Sequence, residues 1–182
     1  MYTKEKQIKS VTLKIPENVS LKVEGSSVIV KGKLGELKKD FSKSRVWFEL
    51  KNNELTIFTD QKGRRGKALI GTIRKKILNA ITGVNKKYIV RLKVAHSHFP
   101  ITVKVDKGFI RIENFMGEKS PRLVRIPNGV EVQAKEQDII LSGLDIDSVT
   151  LLGGMLENAT KVKDKDQRVF LDGIYIQSKG YE

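Results

Sequence analysis

Alternation of apolar and polar residues with a period of two dominates the first third of this chain. Val19, Leu21 and Val23 alternate with polar positions, Gly25-Ser26-Ser27 turns the chain, and Val28 to Val30 returns, the pattern of a β-hairpin. Pro16 stands just ahead of the first strand, where its missing N–H breaks no ladder bond. Further strands are predicted over 36–41, 46–50 and, after an Asn52-Asn53 turn, 55–58. The period then changes. From Leu69, apolar residues recur at Ile70, Ile73, Ile77, Leu78 and Ile81, one buried face of a helix that Thr82-Gly83 stops. Strands over 88–94, 101–105 and 109–113 follow, and a second helix is expected over 147–160. Gly153-Gly154 weakens that helix, so close packing or a kink is expected there.

The alternation repeats over a long distance. "IPENVSLKVEGSSVIVKG" (15–32) aligns without a gap with "IPNGVEVQAKEQDIILSG" (126–143) at an offset of 111. The two share Ile-Pro, Val19/Val130, Leu21/Val132, Val28/Ile139, Ile29/Ile140, Val30/Leu141 and Gly32/Gly143. So long a period means two copies of one domain and not a solenoid; the competing reading is the alternation that any two hairpins share. The expected fold is α+β, two similar domains over 1–83 and 84–182, each an antiparallel sheet packed against one helix. The elements of the second copy are read in a different order from the first. Neither copy resembles a βαβ nucleotide-binding unit.

Charge turns this scaffold into a candidate binder. The 182 residues hold 35 Lys or Arg against 21 Asp or Glu, a net charge of +14. No carboxylate occurs between Asp60 and Asp106, and the window from Gln61 to Val105 alone supplies +12. Charge so placed attracts a polyanion: nucleic acid first, an anionic membrane second, an acidic protein third. No apolar run approaches eighteen residues, the start "MYTKEKQIKSVTL" lacks the apolar core of a signal peptide, and there is no cysteine. A soluble protein of the reducing cytosol is expected, without thiolate zinc sites or a cysteine nucleophile.

Catalytic motifs fare poorly. "GRRGKA" has two residues between its glycines and Ala68 after Lys67, where a phosphate-binding loop needs four residues and then Ser or Thr. His96 and His98 could face one side of a strand, but a zinc site needs three or four ligands, and no carboxylate lies within seven residues of His98. Asp145/Asp147 suits a helix cap better than acid–base work. Asp164/Asp166 sits in the solvated alternation "KVKDKDQR", which leaves a magnesium-dependent nuclease as the weak enzyme reading. No cofactor, metal or small-molecule substrate is expected.

The basic elements carry more. Arg74, Lys75 and Lys76 lie away from the Ile73/Ile77 face, and Gly63, Arg64, Arg65, Gly66 and Lys67, with Lys62 before them, read as a loop feeding the helix N-terminus. Free N–H groups and forked arginines there favour phosphate, against the plainer reading of a solvated lysine face. In "KVKDKDQRVFLDGIYIQSKG", Lys161, Lys163, Lys165, Arg168 and Lys179 surround Phe170 and Tyr175, which suits folded RNA. Phe170 and Leu171 read equally well as core.

Those last residues resemble a known signature. Lys165, Arg168, Phe170, Asp172-Gly173, Ile174-Tyr175-Ile176 and Lys179 are similar to the archaeal and eukaryotic pattern of the large-ribosomal-subunit protein six family, numbered nine in eukaryotes. Asn158 stands where the pattern begins with Gln, and "AHSHFPITV" and "IRIENFMGEK" look like the family's middle section, the first with an added Ser and His. The resemblance implies a non-enzymatic two-domain protein on large-subunit rRNA, near the sarcin–ricin loop, the base of the acidic stalk and the elongation-factor region. It implies neighbouring ribosomal and stalk-base proteins as partners, no membrane, and RNA contacts by Lys161, Lys163, Lys165, Arg168 and Lys179. From residue chemistry alone, a free regulatory RNA-binding protein is the alternative.

Overall fold

A computed structural model describes residues 9–97, 99–163, 165–166 and 168–182. The chain divides into two compact units between Lys86 and Lys87. In the first, strands β1 (Lys9–Lys14), β5 (Val46–Lys51) and β6 (Glu54–Thr59) form one antiparallel sheet in the order β1-β6-β5. Strands β2 (Ser20–Glu24), β3 (Ser27–Lys31) and β4 (Glu36–Asp40) form another. Helix α1 (Gly63–Gly83) lays Ile73, Ile77 and Ile81 onto a core with Leu13, Val28, Val30, Leu55 and Ile57. Alternate strand positions supply that core, so each sheet has one apolar face and one solvated face.

The second unit repeats the plan. Strands β7 (Tyr88–Ala95), β11 (Val130–Lys135), β12 (Asp138–Gly143) and β13 (Gly173–Tyr181) pair in the order β11-β12-β7-β13. Strands β8 (Thr102–Asp106), β9 (Phe109–Glu113) and β10 (Arg122–Arg125) form the smaller sheet, and α2 (Ile146–Ala159) covers the core. The structure corrects the register of the duplication. β1 matches β7, β2–β4 match β8–β10, β5–β6 match β11–β12 and α1 matches α2, in the same order, with β13 added beside β7. Ile15-Pro16 therefore corresponds to Phe99-Pro100, and the turn at Gly25 (φ 60°) to the turn at Gly108 (φ 84°). The offset of 111 instead laid β2–β3 on β11–β12, hairpins from different sheets. Both bury alternate residues, and alternation carries no address.

Helix α1 also starts earlier than its apolar stripe. Gly63 to Lys67 are helical and not a feeding loop; their turns carry cations and show no stripe, so the pattern became visible only at Leu69. Two glycines set the start. Gly63 has a φ of 67°, and a Cβ on Gly66 would stand 2.0 Å from the Gln61 carbonyl oxygen, so only glycine lets the chain double back there. In α2 the expected cap is present: Asp145 Oδ1 accepts from the Asp147 N–H at 3.0 Å, and Oδ2 accepts from the Ser148 hydroxyl at 2.9 Å. The helix runs through Gly153, which is buried; a Cβ there would lie 3.5 Å from Val90 and 3.6 Å from Ile176. These are ordinary van der Waals distances, so Gly153 packs against β7 and β13 without an approach that only glycine allows.

Candidate nucleic-acid interface

The first surface is built on α1. Gly66, Ile70, Ile73, Ile77 and Ile81 face the core, which leaves Arg64, Arg65, Lys67, Arg74, Lys75 and Lys76 exposed around the opposite arc. The N-cap residue Lys62 makes no side-chain capping bond, and the first turn holds no acidic residue. Cations therefore crowd the end of the helix that already carries positive partial charge, an arrangement that disfavours the free helix and favours an added anion. The fold brings in one cation that sequence spacing missed. Buried Thr59 donates its hydroxyl to the Arg45 carbonyl oxygen at 2.7 Å and accepts from the Gln61 N–H at 3.3 Å. Arg45, Asp60, Gln61, Lys62 and Arg65 thereby line one concavity.

The second surface is the connection from α2 to β13. Its ends are held by polar bonds to the buried side chains of Thr160 and Asp172. Thr160 Oγ1 donates to the Leu156 carbonyl at 3.0 Å and accepts from the Ile174 N–H at 2.9 Å. Asp172, 1% exposed, accepts from the Ser97 N–H at 2.8 Å. Arg122 fixes the neighbouring end of α2: it hydrogen-bonds the Ala159 carbonyl oxygen, holds Glu118 with its Nε at 2.8 Å, and lies 4.3 Å over the Phe115 ring. That contact holds the Glu118 carboxyl below its ordinary value of 4.5. Between these ends, Lys161, Lys163, Lys165 and Arg168 are exposed, as are Val169 at 61% and Leu171 at 56%; Tyr175, 45% exposed, follows in β13. Lys165 Nζ sits 5.3 Å from the Phe170 ring centroid. Phe170 packs partly on the core, while Leu171 does not join it. Lys179 is exposed on β13.

Ion pairing separates cations that serve the fold from those that do not. Carboxylates hold Lys22, Lys38, Lys51, Lys87, Arg91, Lys104, Arg111 and Arg122. Three of these belong to the acid-free window, whose second half is thus partly neutralised from outside it: Lys87 by Glu131, Arg91 by Glu182 and Lys104 by Glu113. Among the described residues, Arg64, Arg65, Lys67, Arg74 and Lys75 have no carboxylate partner, nor have Lys161, Lys163, Lys165, Arg168 and Lys179. The other chemical candidates gather no such surface. His96 is exposed beside Thr102 and Glu136, and His98 and Asp164 lie outside the described residues. Asp166 accepts from the Arg168 N–H at 2.9 Å, a local turn. No helix in the described residues is long and apolar enough to cross a membrane.

Fold and surfaces together define a class: a duplicated α+β scaffold that displays cations its own carboxylates leave unneutralised. A family profile described as Ribosomal protein L6 matches the chain twice, over residues 15–87 and 99–173, which begin at the corresponding Ile15 and Phe99. The large ribosomal subunit protein uL6 of Desulfurococcus amylolyticus is 47% identical, over 92% of this chain and 93% of its own length. The protein of the same name from Staphylothermus marinus is 47% identical with the same coverage, and that of Aeropyrum pernix 42% identical over 92% of each chain. The chain belongs to the ribosomal protein L6 family, in its archaeal form, a family that is not enzymatic.

Proposed function

We propose that this chain is a structural component of the large ribosomal subunit that holds folded large-subunit rRNA through the two cation surfaces. The observation that carries the reading is the segment between Thr160 and Asp172, whose ends are fastened by hydrogen bonds to Ile174 and Ser97 while its lysines and arginine have no carboxylate partner among the described residues. A fastened loop loses little further entropy on binding, so its charge is spent on phosphate contact. The mechanism is displacement of counterions from the RNA, with Arg168, Arg64 and Arg65 able to fork onto phosphate oxygens and exposed Tyr175 offering a face for stacking. On this reading the contact lies beside the elongation-factor binding region, near the sarcin–ricin loop and stalk base, with ribosomal proteins as neighbours; the resemblance of the C-terminal signature supports it, and the similarity to archaeal large-subunit proteins supports the assignment to that subunit.

The test uses two triple variants, Lys163→Ala/Lys165→Ala/Arg168→Ala and Arg64→Ala/Arg65→Ala/Lys67→Ala, assembled into large subunits and washed with increasing salt. Both are expected to leave the particle at lower salt than the wild type. Retention of both at wild-type salt would remove these residues from the interface. Failure of the wild-type chain to sediment with large subunits would instead favour a free RNA-binding protein.

A further inference from the structure

Gly71 lies in the interior of α1, is exposed, and a Cβ added to it would meet nothing within 4 Å. Glycine in a helix interior destabilises the helix relative to alanine, because its backbone loses more freedom on folding. Elsewhere in the unit a contact explains the choice: a Cβ on Gly66 would strike the Gln61 carbonyl, and one on Gly32 would come within 2.6 Å of Val84. At Gly71 no contact among the described residues supplies a reason. What surrounds it does. Ser10, Val11, Lys67, Ile70, Gly71 and Arg74 line a groove of about 390 Å³ between β1 and α1. Val11 and buried Ile70 give it an apolar floor. Lys67 and Arg74, four residues before and three after Gly71, share its side of the helix and flank the groove, and neither has a carboxylate partner among the described residues.

We infer that this groove seats the sugar–phosphate backbone of an RNA strand, with Gly71 as the point of closest approach. The inference rests on the proposed rRNA binding and names the place where the N-terminal unit makes it. Two cations without a carboxylate between them select an anionic strand over a polypeptide. The bare helix surface at Gly71 and the floor of Val11 and Ile70 admit a ribose between successive phosphates. Arg74 forks onto one phosphate and Lys67 meets the next as a point charge. The Ser10 hydroxyl, a donor and an acceptor, suits a 2′-hydroxyl.

The experiment compares full-length Gly71→Ala, Gly71→Leu and Lys67→Gln/Arg74→Gln with the wild type. It measures thermal midpoint and affinity for deproteinised large-subunit rRNA across monovalent salt. Gly71→Ala is expected to raise the midpoint while weakening rRNA binding several-fold, opposite signs that a purely structural glycine would not give. Gly71→Leu is expected to weaken binding at least tenfold with unchanged circular dichroism. Lys67→Gln/Arg74→Gln should lower the salt slope by about 1.4–1.8 log units per log unit of salt, the share of two phosphates. Wild-type affinity in both Gly71 variants overturns the inference and leaves the proposed function standing, whereas absence of rRNA binding by the wild type sinks that function as well. A photoreactive phenylalanine in place of Ala68, in assembled subunits, should capture RNA; capture of polypeptide, or of nothing, overturns the groove as an RNA seat.

Discussion

Asp172 is a carboxylate placed where carboxylates are rarely left, and its acceptance of the Ser97 N–H ties two distant loops of the C-terminal unit. Removing it takes away the acceptor of the Ser97 N–H, which stands at an exposed residue, so Asp172→Ala is expected to destabilise that unit by about 0.5–1.5 kcal/mol, read from the midpoint of urea unfolding. Asp172→Asn keeps an acceptor oxygen and should cost less. Glu118 works through charge instead. The Arg122 hydrogen bond lowers its folded carboxyl below 4.5, so the folded state binds that proton less readily than the unfolded chain. Its contribution is complete above the ordinary carboxylate range and fades as pH falls through the lowered value. Stability measured between pH 6 and pH 3 should therefore fall on the acid side, and Glu118→Gln should flatten part of that limb. Identical acid limbs in the two proteins would show that Arg122 holds the end of α2 without help from Glu118.

Gly66 sets where α1 begins, and Gly66→Ala is expected to cost more than about 2 kcal/mol, because the new Cβ meets main chain and not a movable side chain. Hydrogen exchange should show the N-terminal turns of α1 losing protection while α2 keeps its own. The same element shows why the sequence was legible in part. Ile73, Ile77 and Ile81 announced the helix by burial, but its first two turns bury only a glycine and advertise charge, so they read as a loop. β1, β10 and β13 lie outside the predicted strands, β1 because Val11 and Leu13 are its only apolar positions. β10 is four residues long, and β13 is apolar only at Ile174 and Ile176 before turning polar, so the charge of its neighbourhood was noticed before its strand character. The duplication was visible, but its register depended on which strands share a sheet, and that is a long-range fact.

For the whole molecule, the surplus of +14 is not one field. Pairing with carboxylates outside the acid-free window neutralises Lys87, Arg91 and Lys104, which within that window look like Lys67 and Arg74. Both surfaces could be named from sequence because lysines and arginines mark them directly. Arg45 and the Gly71 groove could not, since each exists only once strands are laid against α1. Affinity for large-subunit rRNA should fall steeply with salt, by about 0.7–0.9 log units per log unit of salt for each phosphate contact. Lys22→Ala/Lys38→Ala, which removes cations already near Glu24, should leave that slope unchanged. The most direct measurement is a density map of the assembled large subunit. Side-chain nitrogens of Arg64, Arg65, Lys163 and Arg168 are expected about 3 Å from phosphate or ribose oxygens. A map in which all four face bulk solvent or another polypeptide would contradict the account.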